Sequence, residues 1–316
     1  MDWLKQKIKH VFNFNPLDWF RLIKLQYSLR HSKLPSRNTK GTALVWFTYA
    51  GDINLLAASI KSVDLFVNTA IDHLVIVQDS SAPFSIEQIS ELTSLSHLPL
   101  TLINSLSPLG WAGVSTITSE LDAYQTIFSE LEVEWLVKID SDALTISNRI
   151  FEKLATLPKK PLLVGQSAKA LYQNHPTFSY ADWAQGGCYC LNKMGFEAMK
   201  NVSLIRTALN TLHIVPMTLK DLPEDVFISQ LAKLAKVDVY YLNFHYPVWL
   251  RDDLNAPLLQ NQAQYDYSIL HFEGCKAHQE DTLLELILHS KPQTYLDKQW
   301  QLKKKKVTFQ QNYLEK

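Results

Sequence analysis

Short, continuously apolar runs alternate along the chain with longer segments whose apolar residues recur at helical spacing, and this alternation most constrains the fold. Runs of this kind are typical of strands that are buried on both faces of a sheet. They occupy residues 43–48, 73–77, 99–103 and 135–139. Segments with helical spacing lie between them at residues 53–66 and 115–131. The sequence therefore predicts an α/β fold with a mostly parallel sheet flanked by helices.

Composition narrows the class of protein further. The chain has 316 residues, of which 47% are hydrophobic and 20% charged, which excludes disordered, collagen-like and coiled-coil proteins. Three cysteines are too few for a disulfide framework, and their number is odd. The cysteine content therefore favours a reducing compartment. The sequence also lacks an apolar run of about 18 residues and a secretory signal at its start. We expect a cytoplasmic protein.

Charge is distributed unevenly although the formal net charge is zero. Residues 1–40 contain nine Lys or Arg and two Asp, and residues 298–316 contain six Lys and one Glu. The remaining residues, 41–297, contain 16 basic and 28 acidic residues. An acidic body with basic ends argues against nucleic-acid binding, which requires a basic face on the folded domain.

The two ends differ from the body, which spans residues 41–280. Residues 1–40 have the pattern of a basic amphipathic helical extension and linker, in which Asn15 and Pro16 are typical of a helix cap and first position. Residues 281–316 are predicted to form a helix and a basic tail. Basic amphipathic helices with aromatic residues either bind anionic membrane surfaces or pack on the domain. The first alternative places the protein peripherally on the inner face of a membrane.

Polar residues at the carboxyl ends of the predicted strands mark the binding edge of the sheet. They are Thr48, Asp79, and the pair Asp140 and Asp142. The pair suits Mg²⁺ or Mn²⁺, which takes one or two carboxylates together with substrate phosphates, although Asp-Ser-Asp after a strand is also typical of a turn. No dinucleotide fingerprint follows the first strand, and no P-loop occurs in the sequence.

Three segments in register resemble GT-A fold glycosyltransferases, and most of all the β-1,3-galactosyltransferase and Fringe group. They are KIDSDALTIS at residues 138–147, QGGCYCLNKM at 185–194 and LPEDVFI at 222–228. The resemblance covers residues 42–278. It implies a Rossmann-like sheet, a UDP-sugar donor, and a divalent metal ion, Mn²⁺ or Mg²⁺.

The resemblance also implies roles for the residues at the strand ends. Asp142 would bind the metal directly, and Asp140 would bind the donor or contact the ion. Asp79 is similar to an acid that contacts uracil, and Thr48 and Tyr49 would line the same nucleoside pocket. For Asp79 a turn-forming role before Ser80 is equally consistent with the sequence.

A late histidine completes the implied metal site. His271 lies in the segment HFEGCK and resembles the histidine ligand of this fold, and imidazole beside carboxylates suits Mn²⁺. The segment is similar in part to a glycogenin-like motif, in which Lys276 would hold the diphosphate. The lysine comes one residue early for that motif.

The second segment is implied to line the acceptor site. Gly186 and Gly187 would let an acceptor approach the backbone, although a bulge gives the same pattern. Trp183 is a candidate for stacking on a sugar, or a buried aromatic. Cys188 and Cys190 point to one face and are interpreted as core residues, because structural zinc requires four ligands.

The third segment contains the candidate base. Asp221 and Glu224 fit a helix cap and its reciprocal partner, which leaves Asp225 without a structural task. The resemblance implies that an acid here, Asp225 with Glu224 beside it, deprotonates the acceptor hydroxyl, with inversion. The sequence thus predicts a hexose transfer from a UDP-sugar to a glycan or glycolipid. A retaining glycogenin-like enzyme, a sugar-phosphate nucleotidyltransferase and an inactive glycan-binding scaffold are the alternatives.

Overall fold

The computed structural model describes residues 15–35, 40–48, 50–67, 70–110, 112–168, 182–215, 218–249 and 268–273. Four sequence predictions lie outside these residues. They concern the first part of the amphipathic extension, Tyr49, Lys276, and the tail at residues 281–316.

Ten strands and eight α-helices make up the described fold. The strands are β1 (Thr42–Thr48), β2 (His73–Gln78), β3 (Leu100–Asn104), β4 (Trp135–Ile139), β5 (Ala143–Thr145), β6 (Leu162–Ser167), β7 (Ala184–Asn192), β8 (Asp238–Tyr241), β9 (His245–Trp249) and β10 (Ile269–Glu273). The helices are α1 (Pro16–His31), α2 (Ile53–Phe66), α3 (Ile86–Ser94), α4 (Val114–Glu130), α5 (Arg149–Thr156), α6 (Lys193–Met199), α7 (Leu204–Ile214) and α8 (Glu224–Leu234).

The main sheet contains seven strands in the order β3-β2-β1-β4-β7-β6-β8. Every neighbouring pair is parallel except the two that involve β7, which runs antiparallel to β4 and to β6. The prediction of a mostly parallel sheet flanked by helices is confirmed. The chain moves outward from β1 to β3 and then returns to place β4 on the other side of β1. Ligands bind beyond the carboxyl ends of the strands at such a reversal.

A smaller sheet of three strands, in the order β5-β10-β9, begins directly after β4. Residues 140–142 connect β4 of the main sheet to β5 of the smaller sheet. β10 pairs antiparallel with β5, and this pairing sets His271 opposite Ala143. The register therefore brings a histidine from late in the chain beside the aspartates that follow β4.

Apolar residues fill both faces of the main sheet. Ala43 and Val45 of β1 face one core, which is covered by α1, α4, α6, α7 and α8. Leu44 and Trp46 face the other core, which is covered by α2, α3 and α5 and also contains Cys188 and Cys190. Burial on both faces is what continuous apolar strands require.

Helix α1 is the described part of the N-terminal extension. It begins where Asn15 and Pro16 predict, and the Asn15 side chain accepts a hydrogen bond from the backbone N–H of Leu17. Leu22, Leu25 and Leu29 are buried in the first core. One face of α1 therefore packs on the domain. Within the described ranges no helix has the length and apolar character needed to cross a bilayer.

Candidate active site at the edge of the sheet

Asp140, Asp142 and His271 form a cluster at the carboxyl end of β4. The His271 Nε2 lies 3.1 Å from Oδ1 of Asp142 and 3.4 Å from Oδ2 of Asp140. One ligand atom from each residue can be chosen so that all lie within 4.8 Å of one another. The sequence prediction that these three residues come together is confirmed.

The backbone around residues 140–142 fixes the two aspartates. The N–H of Asp140 donates to the carbonyl of Gly187 (3.2 Å), and the N–H of Ala143 donates to the carbonyl of Asp140 (3.1 Å). The turn therefore joins β4 to β5 within three residues, and it is held against β7. The segment Asp-Ser-Asp is a turn, and it also presents two carboxylates to His271. Both interpretations of this sequence, as a turn and as a pair of candidate ligands, are therefore compatible with the structure.

Lys138, which the sequence analysis missed as a site residue, lies beneath the cluster. Its Nζ donates to Oδ1 of Asp140 (2.6 Å), to the carbonyl of Gly186 (2.6 Å) and to Oε1 of Glu224 (3.2 Å). The residue is buried. Its position in an otherwise apolar strand could have predicted this role, because a lysine that is buried with the strand requires anionic partners.

Charge pairing sets the ionisation of Lys138 and Asp140. Burial opposes the charged form of Lys138, but the charges of Asp140 and Glu224 outweigh it and hold the lysine pKa well above its ordinary value. Burial likewise opposes ionisation of Asp140, and Lys138 outweighs it, so the Asp140 pKa is lowered. Lys138 therefore keeps Asp140 ionised and occupies its Oδ1, while Oδ2 faces His271.

The Gly186–Gly187 pair makes room for side chains of the site. A Cβ on Gly187 would lie 2.8 Å from two ring carbons of His271, and a Cβ on Gly186 would lie 2.8 Å from Oε1 of Glu224. Carbon atoms pack at about 3.5–4.0 Å, so neither position accepts a side chain without movement. The predicted contact of these glycines with an acceptor stays a prediction.

Helix α8 begins two residues later than the cap interpretation requires. The predicted cap at Asp221, with Glu224 as its reciprocal partner, is wrong. Asp221 instead ends a short 3₁₀ helix and accepts a hydrogen bond from Oγ1 of Thr218. The residue before a proline is driven to extended backbone, as Leu222 is before Pro223, so α8 starts at Glu224. Glu224 is therefore available to Lys138.

Asp225 has the hydrogen-bond partners that the sequence did not reveal. Its Oδ2 accepts from Nε1 of Trp183 (2.9 Å) and from the N–H of Gly186 (3.0 Å). Its Oδ1 accepts from the N–H of Val226 (2.7 Å). Burial, followed by the charge of Glu224, raises the pKa of Asp225 to about 7. The carboxyl group is thus oriented and poised to exchange a proton near neutral pH.

Trp183 is buried and orients Asp225 through its indole N–H. This hydrogen bond gives the tryptophan at position 183 a structural role that does not involve a sugar. The stacking role stays a prediction.

Thr48 and Asp79 lie at the same sheet edge, at the ends of β1 and β2. The N–H of Asp79 donates to the carbonyl of Thr48 (2.9 Å). Asp79 is buried and accepts at Oδ1 from the N–H and hydroxyl of Ser81, both at 2.7 Å, and at Oδ2 from the N–H of Leu109 (3.0 Å). These contacts match the turn-forming interpretation. The nucleoside contacts of both residues stay predictions.

A second buried polar group lies behind Lys138 and was also missed. The Tyr189 hydroxyl donates to Oε2 of Glu120 (3.3 Å) and lies 2.6 Å from the Tyr124 hydroxyl. Burial, followed by the charge of Glu224, raises the pKa of Glu120 well above its ordinary value. Burial therefore favours the protonated form of Glu120.

The cluster has the donors that a divalent cation requires. Mg²⁺ takes carboxylate oxygens, and Mn²⁺ accepts carboxylates and imidazole together. Asp140 Oδ2, Asp142 Oδ1 and His271 Nε2 lie close enough together to provide such a set. The residues therefore fit a divalent metal ion, and the donor chemistry alone does not choose between manganese and magnesium.

The arrangement of the two sheets is that of the GT-A glycosyltransferase fold. The galactosyltransferase LgtC, solved with donor and acceptor sugar analogues, matches with a TM-score of 0.52 and 11% identity over 83% of this chain and 99% of that chain. An active-site mutant of LgtC matches with a TM-score of 0.52 and 12% identity over the same shares. No family model and no curated protein sequence matches the chain. At this identity the likeness shows the fold, while the finer resemblance to the Fringe group or to glycogenin stays a prediction.

Proposed function

We propose that the protein is a metal-dependent glycosyltransferase that transfers a hexose from a UDP-sugar to a hydroxyl of a glycan or glycolipid. The observation that carries the proposal is the convergence of Asp140, Asp142 and His271 at the carboxyl edge of a GT-A sheet. Two short-spaced acids and one residue about 130 positions later meet only because β10 pairs with β5. The galactosyltransferase of this fold, solved with sugar analogues, supports a donor and an acceptor as ligands.

The cluster would serve the departing diphosphate. A divalent ion held there would bind diphosphate oxygens and stabilise the negative charge that develops on them. The chain's own part is to hold the ligand atoms in place and to keep the carboxylates ionised. Lys138 keeps Asp140 ionised, and the β5–β10 pairing positions the His271 imidazole.

Asp225 is the proposed base for the acceptor hydroxyl. Its carboxyl group lies beside Gly186, and the next residue, Gly187, lies against His271, so the base and the metal cluster are one residue apart along β7. A pKa of about 7 gives a useful fraction of carboxylate and a proton affinity suited to the task. The attack of a hydroxyl activated at Asp225, opposite to the diphosphate, inverts the anomeric centre.

Calorimetry with UDP in the presence and absence of Mn²⁺ tests the donor site. We expect binding that depends on the metal and that falls at least about tenfold in Asp142→Asn, because a ligand is lost. Asp64→Asn is the matched control, since Asp64 lies on α2 and contacts His97. Metal-independent binding of UDP, or none, would favour the glycan-binding scaffold.

A screen for UDP release with UDP-glucose, UDP-galactose and their N-acetyl forms tests the activity. Release with one donor and not with the others is the expected result. The anomeric configuration of the product, read by NMR, then tests the base. A product with retained configuration would remove Asp225 from the role of base and support the retaining alternative.

A further inference from the structure

The outer face of α1 exposes an unusual set of large apolar side chains. Leu17, Phe20, Ile23 and Tyr27 are 62%, 63%, 52% and 67% exposed. Nine large hydrophobic residues are at least 37% exposed among the residues that the structure describes, and four of them lie in this single helix. Scattered exposed leucines need no explanation, but a contiguous patch of this kind marks an interaction surface.

The four residues lie on one side of the helix. At 3.6 residues per turn they span an arc of about 120°, on the side opposite to Leu22, Leu25 and Leu29. The second set is fully buried against the domain. Helix α1 therefore has two apolar faces, and the domain covers only one of them.

The charges around the outer face are basic. Lys24 lies within the same arc, and Arg21 and Arg30 lie at its two borders. The one acidic residue of the helix, Asp18, is buried and pairs with Arg21 at 3.1 Å. An apolar stripe with basic residues inside it and beside it is complementary to a surface that has an apolar interior under an anionic outer layer.

Contacts with the domain hold α1 in place. Gln26 donates to the carbonyl of Lys200 (3.0 Å) and accepts from the N–H of Leu204 (2.7 Å). Nζ of Lys200 donates to the carbonyl of Ser32 (2.7 Å) just after the helix. The outer face is thus a preformed surface, about 15 Å long from Leu17 to Tyr27, which needs no folding step to bind.

We propose that this outer face docks on an anionic lipid bilayer. Phe20 and Tyr27 would enter the interface between headgroups and acyl chains, where aromatic side chains are enriched, with Leu17 and Ile23 beside them. Lys24 would contact anionic headgroups directly. Arg21, which pairs with Asp18, and Arg30, which donates to the carbonyl of Asn201, would add positive charge at the borders. The proposal does not depend on the catalytic activity and holds for any function of the sheet edge.

Co-sedimentation of the full chain with vesicles tests the proposal. Vesicles of phosphatidylglycerol and phosphatidylcholine should bind the protein, and pure phosphatidylcholine vesicles should bind it weakly. Phe20→Ser with Ile23→Ser should reduce binding about tenfold or more, because two apolar contacts are lost. Lys24→Gln should reduce it about fivefold, in keeping with one basic contact.

Ile86→Ser is the matched control, because Ile86 is 82% exposed on α3, away from the patch. This variant should bind vesicles like the wild-type chain. Equal binding of the double variant and the control would overturn the proposal, and so would the absence of vesicle binding. A lipid-free dimer that dissociates in the double variant would also overturn it, since a second copy would then cover α1.

Discussion

Replacing Gly187 by alanine should weaken metal binding at the cluster of Asp140, Asp142 and His271, although none of these three residues is substituted. Neither Gly186 nor Gly187 has a positive φ, so alanine imposes no backbone strain at either position. The added Cβ would, however, lie 2.8 Å from both Cγ and Cε1 of His271. His271 is buried on β10, which pairs with a strand on each side, so the ring has little room to withdraw.

The magnitude follows from these distances. Carbon contacts relax at about 3.5–4.0 Å, and Nδ1 of His271 lies even nearer to the added Cβ than the two ring carbons, so the imidazole must move by about 1 Å or more. Ligand positions tolerate about 0.2 Å, and displaced support of a ligand typically costs 10–100-fold in metal affinity. We therefore expect the Mn²⁺ concentration for half-maximal UDP binding to rise about 10–100-fold in Gly187→Ala. Overpacking should also lower the free energy of unfolding by about 1–3 kcal/mol.

Two controls separate the clash from a general defect. In Gly186→Ala the Cβ meets Oε1 of Glu224 (2.8 Å) and Cβ of Asp225 (3.2 Å), neither of which belongs to the metal cluster, so the Mn²⁺ requirement should change little. In a chain that already carries His271→Ala, the alanine at position 187 should no longer cost stability, which urea unfolding of the single and double variants measures. An unchanged Mn²⁺ midpoint in a folded Gly187→Ala protein would refute the reasoning.

Three further predictions concern the acids and the lysine. The transfer rate should fall about tenfold per pH unit below about pH 7, where Asp225 becomes protonated, and a pH-independent rate would contradict its role as the base. Asp225→Asn should abolish transfer while UDP binding persists. Trp183→Phe removes a hydrogen bond that lowers the Asp225 pKa, so the midpoint of the pH–rate profile should move to higher pH. Lys138→Met leaves Asp140 and Glu224 without their shared partner and should cost about 3–5 kcal/mol in urea unfolding. Glu120→Gln should cost less, because burial raises the pKa of Glu120 and favours the uncharged form, which glutamine resembles.

The sequence predicted the strands of the sheet well because burial leaves a direct mark on composition. β1, β2 and β4 are continuous apolar runs, and their bounds agree with the prediction to within one residue. The helix predicted at residues 115–131 is α4, displaced by one residue. Local patterns could not show that β7 runs antiparallel between β4 and β6, because strand direction is fixed by the connections and not by the apolar run itself.

The residues that could bind a metal were predictable from the sequence, whereas the buried residues that hold them in place were not. Asp140, Asp142 and His271 are residue types that bind cations, and the resemblance placed them together. Lys138 and Glu120 were missed because their roles come from burial beside other charges, which appears only after β4 and α4 pack together. The cap assigned to Asp221 failed because the extended residue before Pro223 delays the helix.

Lys138 connects the two halves of the site and explains why they lie side by side. One buried ammonium group contacts Asp140 of the metal cluster, Glu224 next to the base, and the carbonyl of Gly186 between them. A single positive charge shared among several carboxylates leaves an excess of negative charge around His271, and such an excess favours the binding of a further cation. Burial raises the pKa of Asp225 most, and the charge of Glu224 raises it further. The placement of more acids than bases around β4 and β7 therefore contributes both to the proposed binding of a cation and to the basicity of Asp225.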